Sequence, residues 1–477
     1  METPAEPLSL RSARGRWVLV ATVLGSGLAT LDSTVVNVAL PRIGRELHGS
    51  VAALQWVVTA YLLTLASLLL VAGALSDRYG RRRVFVVGVV WFTVASVVCG
   101  LAPSAAALTA ARALQGVGGA LLTPGSLAIL EASFRKEERA AAIGAWSGLG
   151  GVAVAVGPFV GGYLVQAWSW RLVFFINVPL AIAVVAITRR YVPETHDPAA
   201  PRHIDVAGAL LAALALGGIT YALIELPAHG ARGADVLAAG AVGLLVSIVF
   251  FVVEARRAAP MLELALFRSR QFSAANAETF VVYAALGGAL FLLPIELQQV
   301  LGYSPLAAGA ALLPTTAVLL LLSASMGRLA QRIGPRVPLS LGPLVAAAGL
   351  LLLAHGGAGQ RYVVAVLPAL LVFGLGLAIT VAPITATVLA AAPTGKAGLA
   401  SAVNNCVART GTLLAVAMLP AASGLGPESY LHADVFAAGY RRGMSIAAAL
   451  CASGGALAWI ALRSLHQLRP GPTSSRE

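Results

Sequence analysis

Gly73-Ala-Leu-Ser-Asp-Arg-Tyr-Gly-Arg-Arg82 and Gly327-Arg-Leu-Ala-Gln-Arg-Ile-Gly-Pro-Arg336 are two copies of one motif. Gly73 and Gly327, Leu75 and Leu329, Arg78 and Arg332, Gly80 and Gly334, and Arg82 and Arg336 coincide in register. Each copy follows a long apolar run, so each reads as a short basic loop entered by a helix running the same way through a membrane. A repeat of this kind implies two homologous halves related by an axis along the membrane normal.

The 477 residues are 58% hydrophobic and 11% charged, against about 25% charged in a soluble domain. Apolar runs long enough to span the bilayer lie near 17–40, 55–75, 84–101, 106–130, 140–165, 170–188, 205–225, 235–254, 272–296, 307–326, 338–355, 362–389, 398–420 and 442–463. The runs are continuous rather than alternating, which selects helices over a barrel. The fold class expected is an all-α polytopic membrane protein of about 14 transmembrane helices. A six-plus-six arrangement would place the repeated loops after helices two and eight. Here they follow two and ten, so two further helices are inserted between two pseudo-symmetric six-helix bundles. The division expected is 1–190 for the first bundle, 191–271 for the linker and inserted pair, 272–465 for the second bundle and 466–477 for a tail.

The net charge of +13 would suit nucleic acid, but its distribution argues otherwise. Basic residues gather in the N-terminal segment, in alternate loops such as Arg81/Arg82/Arg83, Arg135/Lys136/Arg139 and Arg256/Arg257, and in the C-terminal tail. The other loops hold only Arg42, Arg45, Arg171, Arg232, Arg361, Arg441 and Arg442. That bias is the positive-inside rule, and it places both termini in the cytoplasm. Lipid is the partner it implies, with no nucleic acid. No secretory signal peptide is evident, since the first apolar run is too long and no cleavage site follows. Cys99, Cys406 and Cys451 all lie in expected spans, with no disulfide framework or metal spacing. No Gly-x-x-x-x-Gly-Lys-Ser/Thr loop is present to bind nucleotide phosphates, so no cofactor is expected and the remaining energy source is the proton gradient.

Asp32 lies inside the first apolar run, in Leu31-Asp32-Ser33-Thr34-Val35-Val36-Asn37-Val38-Ala39-Leu40-Pro41. A carboxylate in a membrane helix costs about 3 kcal/mol on insertion scales, which makes it a proton or cation site by default. The competing reading is a carboxylate at the wet end of the helix, neutralised by a neighbour. At helical spacing Thr30, Ser33, Thr34 and Asn37 form one stripe, and Asp32 points nearly opposite. Either the stripe packs against a neighbouring helix or the helix is distorted here.

Four segments of the first half resemble motifs of the major facilitator superfamily drug:proton antiporters, in the fourteen-helix group that includes methylenomycin-resistance-like exporters. The first is the Leu31–Pro41 stretch. The second is Gly73-x-Leu75-x-Asp77-Arg78-x-Gly80-Arg81-Arg82-Arg83; the third, Leu108-x-x-x-Arg112-x-x-Gln115-Gly116-x-Gly118-Gly119; the fourth, Gly157-Pro158-x-x-Gly161-Gly162. The resemblance implies proton coupling or cationic-substrate binding by Asp32 with Arg112. It implies a conformational latch built on Gly73, Asp77, Arg78, Gly80 and Arg81. A charge cluster that only sets orientation would explain the arginines but not Asp77 or the glycines. The second copy of the loop has Gln331 where the first has Asp77. The resemblance ties Gly157, Pro158, Gly161 and Gly162 to antiport; four residues earlier, where the family usually has glycine, this chain has Ala153.

Asn37, Gln115, Glu278, Asn405 and Arg409 are candidates for the cavity wall. Glu278 is a candidate second titrating carboxylate or a residue snorkelling to the interface, and Asp205 opens a helix as its N-cap. The function expected is proton-coupled efflux of small amphipathic or cationic drugs and antibiotics across the cytoplasmic membrane by a monomer. The alternative is a proton-coupled importer of a small metabolite on the same fold. A membrane-embedded enzyme is disfavoured, because no span carries a paired His, Asp or Ser constellation.

Overall fold

A computed structural model describes residues 7–197, 204–230, 233–257, 260–356, 361–393, 396–427, 429 and 432–462. The 466–477 tail and residues 198–203 of the linker lie outside the described residues. Fourteen helices among the described residues are long and apolar enough to cross a membrane. They are α1 (Ala13–Glu46), α2 (Val51–Tyr79), α3 (Arg81–Gly100), α4 (Ala105–Ser133), α5 (Ala141–Ala167), α6 (Leu172–Tyr191), α7 (Val206–His229), α8 (Ala234–Arg256), α9 (Arg270–Val300), α10 (Pro305–Ile333), α11 (Arg336–His355), α12 (Tyr362–Ala390), α13 (Ala397–Ala422) and α14 (Ala433–Ala461). Each expected span overlaps one of them. The last begins earlier than its apolar run, so Arg441 and Arg442 lie within α14 and not in the loop before it.

Serine hydroxyls set many of the helix starts. Ser12, Ser50, Ser104, Ser269 and Ser304 each accept a hydrogen bond from a backbone N–H in the first turn of the helix that follows. Two of these caps disclose a second copy of the repeat. Leu47-His48-Gly49-Ser50 joins α1 to α2, and Leu301-Gly302-Tyr303-Ser304 joins α9 to α10. Both turns place their second residue at positive φ, 51° at His48 and 69° at Gly302. Asp205 caps α7 as expected, accepting from the Gly208 N–H at 2.7 Å, and it also pairs with Arg257.

Packing repeats with the sequence. In the first half α2 and α3 pack on α4, α1 on α5, and α6 on α1 and α3. In the second half α10 and α11 pack on α12, α9 on α13, and α14 on α9 and α11. The halves meet along two seams, α5 against α10 and α2 against α13. The inserted pair lies outside this bundle. α7 rests on α2 and α13, and α8 packs on α7 with a face of Leu244, Leu245, Ile248 and Phe251 exposed. Such a face suits lipid, which is as apolar as the side chains it touches.

One face of the bundle carries the Gly73–Arg83 loop and its repeat; it is called the basic face below. At the opposite face the halves are tied together. Gln55 Nε2 on α2 donates to the Val416 and Ala417 carbonyls of α13 at 2.8 and 2.9 Å. Gln298 Nε2 donates to the Val38 carbonyl at 2.9 Å, and the Leu306 N–H to Gln166 Oε1 at 3.2 Å. Toward the basic face α5 stands clear: a Cβ added at Gly144 or Gly148 would meet nothing within 4 Å. The halves are therefore tied by hydrogen bonds at one face; toward the other, α5 leaves open space at Gly144 and Gly148, while the halves still approach where Gly398 of α13 faces Glu131 of α4.

Candidate functional site: a charge network inside the first half

α4 carries Arg112 and Gln115 on one face, three residues apart. Its glycines let neighbouring helices come close enough for that face to matter. A methyl group on Gly116 would lie 2.0 Å from Thr64 Oγ1 of α2, and one on Gly118 would lie 2.5 Å from the Phe92 nitrogen of α3. Thr64 Oγ1 also donates to the Ala113 carbonyl at 2.8 Å, which fixes α2 against α4.

Asp32, 0% exposed, enters this packed space from α1, and Arg112 is 1% exposed. Arg112 Nη1 donates to Asp32 Oδ2 at 2.5 Å and to Gln115 Oε1 at 2.6 Å. Its Nε donates to the Val57 carbonyl at 3.1 Å, and its guanidinium lies over the Tyr61 ring, 4.3 Å from the centroid. The other carboxylate oxygen, Asp32 Oδ1, accepts from Gln115 Nε2 at 2.8 Å and from Asn177 Nδ2 of α6 at 3.1 Å. Gln115 and Asn177 both donate to Ser96 of α3, at 2.7 and 3.2 Å. Five helices thus bury one neutral ion pair whose carboxylate and guanidinium are both hydrogen-bonded to further partners, the condition under which a buried pair is tolerated.

This network answers the question the sequence left open about α1. The helix is regular, and Asp32 points into the first half while Thr30, Ser33 and Asn37 lie on the other side. Thr30 and Ser33 donate only to carbonyls of their own helix, and Asn37 has no hydrogen bond among the described residues. Thr34 packs against Gly157 of α5. Gln115, read as a candidate for the cavity wall, belongs to the buried network. Asn177, Ser96 and Tyr61 were missed. Their signal was faint, because one polar residue per span is common and no spacing links α1, α3 and α6.

Gly157, Pro158, Gly161 and Gly162 lie where α5 meets both α1 and the other half. A methyl on Gly161 would fall 2.8 Å from a Val35 methyl carbon of α1, and one on Gly162 would fall 2.4 Å from the Pro305 carbonyl oxygen of α10. Gly309 of α10 in turn sits against the Pro158 carbonyl. The seam is backbone on backbone, a surface with few side chains to unlock when helices slide.

The Gly73–Arg83 loop turns at Gly80, φ +108°, where a Cβ would lie 2.7 Å from a Glu194 carboxylate oxygen. Arg81 pairs with Asp77 at 2.8 Å. The Arg81 N–H donates to the Thr195 carbonyl and the Arg82 N–H to Glu194 Oε1, at 2.8 and 3.0 Å. Arg78 is exposed, with its guanidinium over the Tyr79 ring. The loop is therefore docked on its own half, by a segment after α6 that the sequence marked only as linker. The second copy turns at Gly334, φ +88°, and its Arg336 lies 4.2 Å over the Trp459 ring of α14.

In the second half, Arg409 sits midway along α13, half-buried and with no hydrogen bond or ion pair among the described residues. It is within electrostatic reach of Tyr61 and Tyr283. Asn405 is exposed one turn away. Glu278, also a candidate for the cavity wall, is instead 0% exposed beside Gly454 of α14. Among the described residues no group of three or more His, Cys, Asp or Glu side chains is placed to hold a metal ion.

Residues 22–416 match the family model described as Major Facilitator Superfamily. The chain is 38% identical over 402 residues to the "Multidrug resistance protein Stp" of Mycobacterium tuberculosis (strain CDC 1551 / Oshkosh), covering 84% of this chain and 74% of that protein. It is 36% identical to the "Tetracenomycin C resistance and export protein" of Streptomyces glaucescens, covering 93% and 83%. It is also 36% identical to the "Methylenomycin A resistance protein" of Bacillus subtilis (strain 168), covering 85% and 87%. Among solved structures, a bacterial homologue of the human lysosomal transporter Spinster, described as inward-facing and unoccupied, superposes with a TM-score of 0.66 at 18% identity. That match covers 97% of this chain and 99% of that one.

Proposed function

The chain belongs to the major facilitator superfamily, and from that premise we propose that it expels drugs or antibiotics from the cell in exchange for protons. It is a multi-pass membrane transporter rather than an enzyme. The relatives that span most of its length are named for drug resistance and export, and this chain carries their kind of activity to small amphipathic or cationic compounds. The observation that carries the coupling is the buried Asp32–Arg112 pair. A membrane protein that gives up lipid-compatible side chains for an ion pair does so for function or for a fixed helix contact. Protonating Asp32 would leave Arg112 without its counter-charge, so the pair is a two-state element that a proton can bias.

The basic face is cytoplasmic, with both termini on that side. The halves are then open inward and tied at the outer face by Gln55, Gln298 and Gln166. Substrate enters beside α5 and meets Asn37, Asn405 and Arg409 between the halves. The Gly157–Gly162 seam slides as the outer ties break. The Gly73, Asp77, Arg78, Gly80 and Arg81 loop, now docked on Glu194, latches the halves in the outward-open state. One charge crossing the membrane supplies about 2.3 kcal/mol per 100 mV. The protein works as a monomer.

The test is efflux from vesicles under an imposed pH gradient. Asp32→Asn should abolish gradient-driven efflux. Asp32→Asn combined with Arg112→Gln, which removes both charges, should restore a folded protein without restoring coupling. Wild-type gradient-driven efflux in Asp32→Asn sinks the proposal.

A further inference from the structure

The second half holds a carboxyl group that the scheme above does not use. Glu278 lies two turns into α9 from Arg270, 0% exposed, with both carboxyl oxygens buried and without a hydrogen-bond partner. Its side chain passes beside Gly454 of α14, where an added Cβ would come within 4.0 Å of Glu278 Cγ. The polar residues nearest in sequence are turned elsewhere. Asn276 and Thr279 both accept from Asn404 of α13, at 3.1 and 2.8 Å.

No charge compensates Glu278 from any helix packed on α9. The charged residues of α9 itself, Arg270 and Glu296, lie at its two ends, and Arg268, in the short helix Leu264–Arg268 that also packs on α9, is exposed like Arg270. Arg409 of α13 lies more than a turn beyond Asn404, the residue that reaches Asn276 and Thr279, and forms no ion pair among the described residues. Asp32 of α1 is committed to Arg112. α12 carries no charged residue, and α14 offers Asp434, Arg441 and Arg442 only at its other end and the thiol of Cys451 one turn from Gly454. An ionised carboxylate is not tolerated in such a place, since burial strips its water and nothing replaces it. Glu278 as packed is the neutral acid.

We propose that Glu278 is a proton-carrying site of the transport cycle, loaded in the inward-open arrangement seen here. This rests on the export reading and adds a second coupling group to it. The site is two helical turns from the basic face. Parting of α9 from α14 admits water to it. The carboxyl O–H bond then breaks, the electron pair stays on the carboxylate, and the proton passes to water on the basic side. The carboxylate so formed has to regain a proton before the site closes again, and it does so when the outer face opens. The first half then holds a paired acid, Asp32, that senses the cycle, and the second an unpaired one, Glu278, that carries the proton.

Two measurements on the full-length protein test this. The first is vesicle transport of ethidium as the probe. Glu278→Gln keeps the shape of the neutral acid, so ethidium counterflow should continue while accumulation driven by the pH gradient is lost, and Glu278→Asp should recover part of it. Gradient-driven accumulation at the wild-type level in Glu278→Gln overturns the proposal. The second needs no substrate. Infrared difference spectra should show a protonated-acid carbonyl band that shifts in heavy water, disappears as pH is raised, and is missing in Glu278→Gln but kept in Asp32→Asn. A band that is absent, or that persists at every pH at which the protein stays folded, overturns it. If no variant moves ethidium, the export reading fails, and the infrared result alone decides whether Glu278 exchanges its proton.

Discussion

Asp32 and Glu278 are both acids on the opening helix of their half, both 0% exposed, and their surroundings are opposite. Asp32 accepts from an arginine, a glutamine and an asparagine on two other helices. Glu278 accepts from nothing among the described residues. The contrast extends to whole halves. Arg42 and Arg171 with Glu46, Arg81 with Asp77, and Arg82 and Arg83 with Glu194 tie the first half together; among the described residues no ion pair lies within α9–α14. A half whose charges are mutually satisfied holds its shape. A carboxyl group buried without a counter-charge, as Glu278 is, holds a proton. Burial alone does not define a coupling residue; what counts is whether the protein supplies a counter-charge.

The largest expected effect comes from breaking the satisfied side. Arg112→Ala strands a buried carboxylate and should cost about 3–5 kcal/mol, the usual penalty for removing one partner of a buried pair. Glu278→Gln replaces one neutral group by another and should change stability by less than about 1 kcal/mol. Thermal unfolding in detergent checks both, and equal losses would erase the contrast.

The next effect separates the two basic loops. Gly80→Ala meets both a φ of +108° and the Glu194 carboxylate, and should cost about 1–3 kcal/mol. Gly334→Ala meets a φ of +88° and should likewise cost about 1–3 kcal/mol. Proteolysis of the Gly73–Arg83 loop should rise in Gly80→Ala and stay unchanged in Gly334→Ala.

The smallest effect is a surface titration at the start of the first half. Outside the membrane, the Leu10 N–H and the Ser9 hydroxyl bond the Glu138 carboxylate and hold it below its ordinary range. A lowered carboxyl contributes fully above its unfolded value and is lost as pH falls through the lowered one. The protection of the Leu10 amide against hydrogen exchange, its rate taken relative to the intrinsic rate at each pH, should therefore be high at neutral pH and fall in acid. In Glu138→Gln that protection should be the same across the range, and protection that still changes with pH in that variant would mean another group holds the segment.

Much of this molecule was legible in one dimension. The apolar runs placed all fourteen spans, because a helix in lipid needs nothing beyond its own length to satisfy its backbone. The Gly73/Gly327 repeat foretold the matching pattern of helix contacts, while its companion at Leu47–Ser50 and Leu301–Ser304 was too short and too divergent to notice. Asp32 and Arg112 stood out because charge in an apolar run is conspicuous. Ser96, Asn177 and Glu194 did not, since each is an ordinary residue until a distant helix or loop end arrives beside it.

Composition and periodicity by themselves determined a helical membrane protein of two related halves with an inserted pair and a biased charge distribution, because those properties depend on each segment's own partition between water and lipid. Tertiary packing alone turned Asp32 inward to Arg112, left Glu278 without a counter-charge, and tied the halves by hydrogen bonds at one face. Those outcomes depend on which side chains from separate helices share a few ångströms of low-dielectric space, and spacing along one chain does not encode that meeting.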